Sequence, residues 1–346
     1  MTTTAHPHAQ AHAQSHGHGH GAPAPAKPSG ETARAIVFSA AGELAFRDVS
    51  LREAAPDEVT VDIAYSSISS GTERLIFGGT LPGFPMLRFP LVPGYEAVGT
   101  VARVGPDVRD VAVGDAVFVG GSMCYTDALG LFGGNSARLL KKAAQVVPLH
   151  GIPLSRAPLL ALAATSLHGI RRLGDVRGKR IAVLGLGAIG QFAARFLAHA
   201  GAHVLCAEID AARLAQTPDG CEALDLAGGS IDAVAHDLDA VVEATGRSQE
   251  IAASARALRP GGDVLLLSYY DELRTPYVDL FVKEVNLLVA REWAHDDLLA
   301  ARDLLASGAI GVGALADHVV PVAQYEAAYH TAFHDPSIAK VILQWA

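Results

Sequence analysis

From residue 33 onward, apolar and polar positions alternate in short runs, ARAIVFS, ELAFRDV and EVTVDIAYS, separated by Gly, Pro, Asp and Glu. A period of two turns one face of each run toward a core, and the punctuation marks turns, so these runs predict short antiparallel strands. The pattern continues through AVGTVARVG, DAVFVGG and SARLLKKAAQVVPL, with Gly99, Gly105, Gly114 and Gly133 at turns or bulges. Together they predict a partly open β-barrel over residues 33–154. Near residue 155 the pattern changes to an Ala/Leu-rich helical stretch. RIAVLGLGAIGQFAARFLAHAGAHVLCAEID then reads as strand, glycine turn, helix, strand. AVVEATG at 240–246 and GDVLLLSY at 262–269 add parallel strands, the span 210–240 is short enough to predict only abbreviated elements, and residues 285–290 supply a last strand. The expected class is α/β, with a Rossmann doubly wound parallel sheet over 155–290. Residues 291–346 are expected to return to the first domain and end in the strand VILQWA.

Composition narrows the function classes. The chain has 346 residues, half of them apolar, enough for two cores. Net charge is −9 and the 27 basic residues are scattered, which argues against a nucleic-acid partner. Cys124, Cys206 and Cys221 form no C-x-x-C pair, so neither a disulfide framework nor a thiolate zinc lobe is expected, and a reducing cytoplasm suits them. The longest apolar run, Ala157 to Leu167, is interrupted by Thr165 and Ser166 and is shorter than the roughly 18 residues of a membrane span. Residues 1–32 form a His/Ala/Pro-rich tail expected to stay disordered. It carries His6, His8, His12, His16, His18 and His20, six of the fifteen histidines, and reads either as a solvated tail or as a loose metal-binding tract.

Gly185, Gly187 and Gly190 form G-x-G-x-x-G between an apolar strand and a helix. The first glycine permits the tight turn, the second lets backbone approach a pyrophosphate, and the third lets helix pack on strand. Leu186, Ala188 and Ile189 complete a loop whose N–H groups open onto a helix N-terminus suited to phosphate. Glu208 lies eighteen residues past Gly190, close to the roughly 20 expected for a ribose-binding acid. A carboxylate there accepts the ribose hydroxyls and repels a 2′-phosphate, which favours NAD over NADP. Ala244, Thr245, Gly246 and Ser268 sit at carboxyl ends of predicted strands and are expected to line the nicotinamide side of the crevice.

The words SISSGTERLIFGG, FPLVPGYEAVG, LFGGNSARLL, LALAATSLHG, REW and TAFHDPSIAKVILQW are long, distributed and ordered along the chain. Through them the sequence resembles the medium-chain dehydrogenase/reductase superfamily over nearly everything after residue 32, and within it the bacteriochlorophyllide a dehydrogenases. The resemblance implies a GroES-like barrel domain beside the Rossmann sheet. It further implies NAD-dependent oxidation of a 3-(1-hydroxyethyl) group to 3-acetyl on a tetrapyrrole in bacteriochlorophyll synthesis, a homodimer, and peripheral contact with a membrane that holds the apolar substrate.

Zinc-bearing members of the superfamily have a Cys two residues before a Thr, a His in P-x-x-x-G-H-E and a third ligand four residues before another Thr. Ser70, Tyr95 and Ala161 stand at those places here, beside Glu96, Thr72 and Thr165. No zinc is therefore expected, and the hydroxyl proton needs another acceptor. Tyr95 is the first candidate, as donor or relay; Thr72 and Ser70 could extend the relay; Glu96 could orient it or act as base; His168 could pass the proton outward. Each also has a plain reading as packing or as a satisfied polar group, with Arg74 or backbone as the partner of Glu96. Tyr125, Tyr269, Tyr270 and Trp293 could stack on a chlorin face. Two rival functions share this reading: a zinc-independent quinone or enone reductase, and a non-catalytic protein that binds NAD or pigment.

Overall fold

The computed structural model describes residues 27–81, 87–270 and 272–346. The histidines of the N-terminal tract lie outside the described residues. Strand pairing begins at Pro28, opposite Arg52, so the tail expected to reach residue 32 stops short of it.

The first half of the chain is built from two sheets. In one, the long strand Glu58–Ile68 runs antiparallel to Ala97–Val104, which pairs Ala116–Val119 and then Val146–Pro148. The other holds Glu43–Arg52, Pro28–Ala40, Leu91–Val92 and Leu129–Gly130. The alternation read from EVTVDIAYS is only partial: Glu58–Ile68 is buried on both faces for most of its length, because strands lie beside it and a second sheet and the 160–171 helix cover it. The C-terminal strand Val341–Gln344 pairs antiparallel with Glu58–Ile68, placing Val341 opposite Ile68. The chain end thus returns to the barrel sheet built on Glu58–Ile68.

The second half is a six-stranded parallel sheet in the order Glu222–Asp225, His203–Glu208, Arg180–Leu184, Leu238–Glu243, Leu258–Leu266, Asn286–Val289. Taken by chain position this is 3-2-1-4-5-6, with its switch point between Arg180–Leu184 and Leu238–Glu243. The elements between residues 210 and 238 are indeed short, with helices Ala211–Leu214 and Ile231–Val234 around a four-residue strand. One cluster of buried side chains runs from Val98, Phe118 and Val147 of the barrel through helix Leu160–Arg171 to Phe192 and Val242 of the nucleotide sheet. Fully buried Phe118 and Phe192 each contribute roughly 1.5–3 kcal/mol through burial, so the helix between them fastens the two halves around the cleft.

Candidate active site

The glycine loop is shaped by what a side chain would strike. A Cβ on Gly190 would lie 1.8 Å from the Gly185 carbonyl oxygen, so helix Ala188–His199 approaches its strand only with glycine there. Gly185 itself has φ +87°, in the region that glycine favours. A Cβ on Gly187 would meet nothing within 4 Å, which leaves a cradle at the helix N-terminus open for a pyrophosphate. Glu208 is buried; one carboxylate oxygen accepts from Leu186 N at 2.8 Å and the other from Ile209 N and Asp210 N. It therefore ties the glycine loop to the end of the second strand. Across the switch point, Gly185 abuts Ala244 and Thr245, and Gly246 lies against Ser268. The loop 244–246 is held by Glu243, which accepts from Thr245 N at 2.8 Å and from the Thr245 and Tyr270 hydroxyls. Burial pushes the Glu243 carboxyl above its usual range, against those hydrogen bonds. Glu243 was not legible as a site residue, since its role appears only once the strand ends are side by side.

In the barrel domain, Tyr95 lies on the loop that joins Leu91–Val92 to Ala97–Val104. Its ring packs edge-on against Phe132 with centroids 5.5 Å apart and lies 6.0 Å from the ring of Trp293, which follows the last strand of the parallel sheet. Its phenol oxygen is 2.7 Å from Ser69 Oγ, and the Thr72 side chain lies near enough to oppose the rise of its pKa. Burial, and then the charge of Glu96, raise the phenol well above its ordinary range. Tyr95 therefore stays protonated and is suited to act as a donor or a relay, not as a phenolate base.

Four expectations change here. The hydroxyl at the phenol belongs to buried Ser69, while Ser70 is exposed in the bend before helix Thr72–Phe77; the one-residue shift follows from where strand Glu58–Ile68 ends. Glu96 is not free to act as a base, nor is its partner Arg74: both its oxygens bind Lys340 Nζ, at 2.6 and 2.7 Å, and one accepts from Ser67 Oγ at 2.5 Å, all fully enclosed. His168 does not lead a proton outward from Tyr95. Its Nδ1 is 2.7 Å from Asp297 Oδ2, a carboxylate that also takes Arg171 and Ala294 N, so it fastens helix Leu160–Arg171 to helix His295–Ala306. Among the aromatic candidates, the Tyr125 hydroxyl donates to Gly133 O inside the barrel core and that of Tyr270 to Glu243, Tyr269 is exposed, and Trp293 is the candidate whose ring is set against Tyr95.

Residues 55–151 match the alcohol dehydrogenase GroES-like domain. The chain is 36% identical over 317 residues to the 2-desacetyl-2-hydroxyethyl bacteriochlorophyllide A dehydrogenase of Cereibacter sphaeroides, covering 90% of this chain and 98% of that one. The chain belongs to the bacteriochlorophyllide a dehydrogenase family of medium-chain alcohol dehydrogenases. The fold agrees: L-idonate 5-dehydrogenase from Escherichia coli K-12 superposes with TM-score 0.80 at 18% identity, over 91% of this chain and 99% of that one. A dehydrogenase from Sinorhizobium meliloti 1021 bound to NADP superposes with TM-score 0.77 at 21% identity, over 91% and 100%.

Zinc is implied by much of this superfamily, but the residues present do not fit it. The three ligand positions hold an exposed Ser70, the Ser69-bonded phenol of Tyr95 and the core methyl of Ala161, and the neighbouring Glu96 is taken by Lys340. Among the described residues no group of three or more His, Cys, Asp or Glu is placed to hold a metal. A tetrahedral N/S site needs what these positions lack. A dinucleotide does fit, at the open cradle of Gly187 with Glu208 beside it.

Proposed function

We propose that this enzyme oxidises the 3-(1-hydroxyethyl) group of a bacteriochlorophyllide to 3-acetyl, with NAD and without zinc. The observation that carries the reading is the near end-to-end match to the Cereibacter sphaeroides enzyme. Bound nicotinamide supplies the hydride acceptor. With the cofactor bound, the carbinol carbon would lose a hydride and its hydroxyl a proton, which balances as ketone, reduced cofactor and one proton. Tyr95 takes that proton as its own passes to Ser69 Oγ, 2.7 Å away, and the Ser69 hydroxyl proton leaves in turn to solvent at the exposed turn of Ser70. Trp293 and Phe132 flank the phenol with apolar surface that suits a flat macrocycle. Glu208 supports NAD over NADP through its charge.

The deciding assay follows NADH formation and the pigment's red absorption band, anaerobically, with 3-(1-hydroxyethyl) bacteriochlorophyllide a and NAD⁺, with and without a strong chelator. Conversion unaffected by chelation is expected. Loss of activity on chelation sinks the metal-free reading, and intact NAD binding without conversion moves the assignment to a reductase or a pigment-binding protein.

We also propose a homodimer, through the edge strand Asn286–Val289. Among the described residues that strand ends the parallel sheet with no strand on its outer side, Val289 is 58% exposed, and the preceding helix turns out Tyr277 and Phe281, at 73% and 63%. An apolar edge of this kind invites a second strand, and two-fold pairing would continue the sheet across both subunits. Light scattering should give a dimer for the wild type and a monomer for Val289→Glu; a monomeric wild type refutes the interface. Among the described residues no helix is long and apolar enough to cross a membrane.

A further inference from the structure

Behind Tyr95 lies a second buried carboxylate. Glu73, in the first turn of helix Thr72–Phe77, is fully buried. Its Oε1 accepts from the Ser69 backbone N–H at 3.0 Å, while its own N–H donates to Ser69 O at 2.8 Å. Its Oε2 accepts from the Tyr329 hydroxyl at 2.6 Å and from Asn135 Nδ2 at 3.2 Å. Ser69 is thus gripped at both backbone polar groups by one residue. From that fixed backbone its hydroxyl reaches Tyr95.

We infer that Glu73 is a positioning residue for the catalytic phenol: its carboxylate fixes Ser69, Ser69 fixes Tyr95, and the charge on Glu73 sets how firmly. The inference rests on the proposed role of Tyr95 in proton transfer. A carboxylate accepts the Ser69 N–H more strongly than a carboxylic acid does, because charge-assisted hydrogen bonds are roughly twice as strong as neutral ones. The groups that bias Glu73 come from several elements. Burial pushes it up to about 7; Glu96 pushes the same way, while Ser69 N, the Tyr329 hydroxyl and Lys340 oppose. Asn135 can serve either form. Its Oδ1 is buried without a partner, and turning the amide presents that oxygen to a protonated Glu73 in place of Nδ2. Below about pH 7 the acid form relaxes the grip on Ser69; above it the ionised form tightens the grip, so turnover rises through neutral pH.

Three measurements test this on the intact enzyme. Glu73→Gln, which keeps the shape and removes the charge, should lower kcat roughly 100-fold, the loss typical of a misplaced reacting group, leave KM and the dinucleotide Kd unchanged, and erase the neutral-pH limb of the rate profile. Tyr329→Phe removes one donor to the ionised form and should shift that limb to higher pH. In ¹⁵N-serine-labelled protein without substrate, the Ser69 amide resonance should titrate near neutral pH in the wild type and not in Glu73→Gln. A wild-type Ser69 amide that ignores pH, or a Glu73→Gln enzyme with the wild-type rate and pH profile, overturns the inference. The amide titration needs no pigment, so failure of the substrate assignment and failure of the Glu73 role give different results.

Discussion

Tyr95→Phe should lower kcat for the hydroxyethyl chlorin by roughly 10²–10⁴-fold, the range that well-placed proton transfer contributes. The substitution deletes one oxygen and keeps the ring, so the contacts with Phe132 and Trp293 persist. Dinucleotide affinity should not change, because the phosphate cradle is built from Gly185 to Gly190 and Glu208 on the other sheet. Stability should fall only by about 1 kcal/mol, the net worth of the bond to Ser69 Oγ. The rate loss has to appear in kcat because the neighbouring carboxylate cannot take the alcohol proton instead: Glu96 is committed to Lys340 and Ser67. Steady-state kinetics beside a cofactor titration and a thermal melt separate these effects. A normal kcat in the Tyr95→Phe enzyme would show that the phenol only fills the space of an absent metal, and would move the search to Thr72.

The parts of this molecule that the sequence disclosed are those governed by neighbours along the chain. G-x-G-x-x-G is legible because Gly185 and Gly190 meet each other's backbone within one turn, and Glu208 because it ends the very next strand. The alternating runs before residue 150 and the abbreviated stretch after residue 210 were legible for the same reason. The machinery around Tyr95 was not. Tyr329 is 256 residues from Glu73, and Lys340 is 244 from Glu96; no local period marks such pairs. Ser69 and Ser70 are chemically alike and adjacent, so only the register in which strand Glu58–Ile68 leaves the sheet decides which hydroxyl is buried. His168 misled because a histidine near a cofactor cleft suggests proton transfer, whereas its acceptor, Asp297, arrives from a helix 129 residues away.

Lys340→Met carries the largest expected loss of stability, about 3–5 kcal/mol, out of the roughly 5–15 kcal/mol that holds an ordinary domain together. Lys340 immediately precedes strand Val341–Gln344, and its side chain, 4% exposed, carries the ammonium to a carboxylate that is wholly enclosed. Removing the cation leaves the Glu96 carboxylate buried with, among the described residues, the Ser67 hydroxyl as its remaining side-chain donor. The intact pair need not add much net stability, since taking both ions out of water offsets most of their attraction. The consequence is a test in two parts. Urea denaturation should show Lys340→Met severely destabilised, while Glu96→Gln combined with Lys340→Met recovers most of the loss, because no uncompensated charge remains. If the double variant were no better than the single one, the role of Lys340 would be packing at the strand end and not neutralisation of Glu96. Recovery in the double variant would point to what the pair does beyond neutralising itself. Val341 sits opposite Ile68, so the ion pair pins the C-terminal strand beside the turn that presents Ser69, and the double variant, though stable, should then turn over more slowly than wild type with its dinucleotide affinity intact.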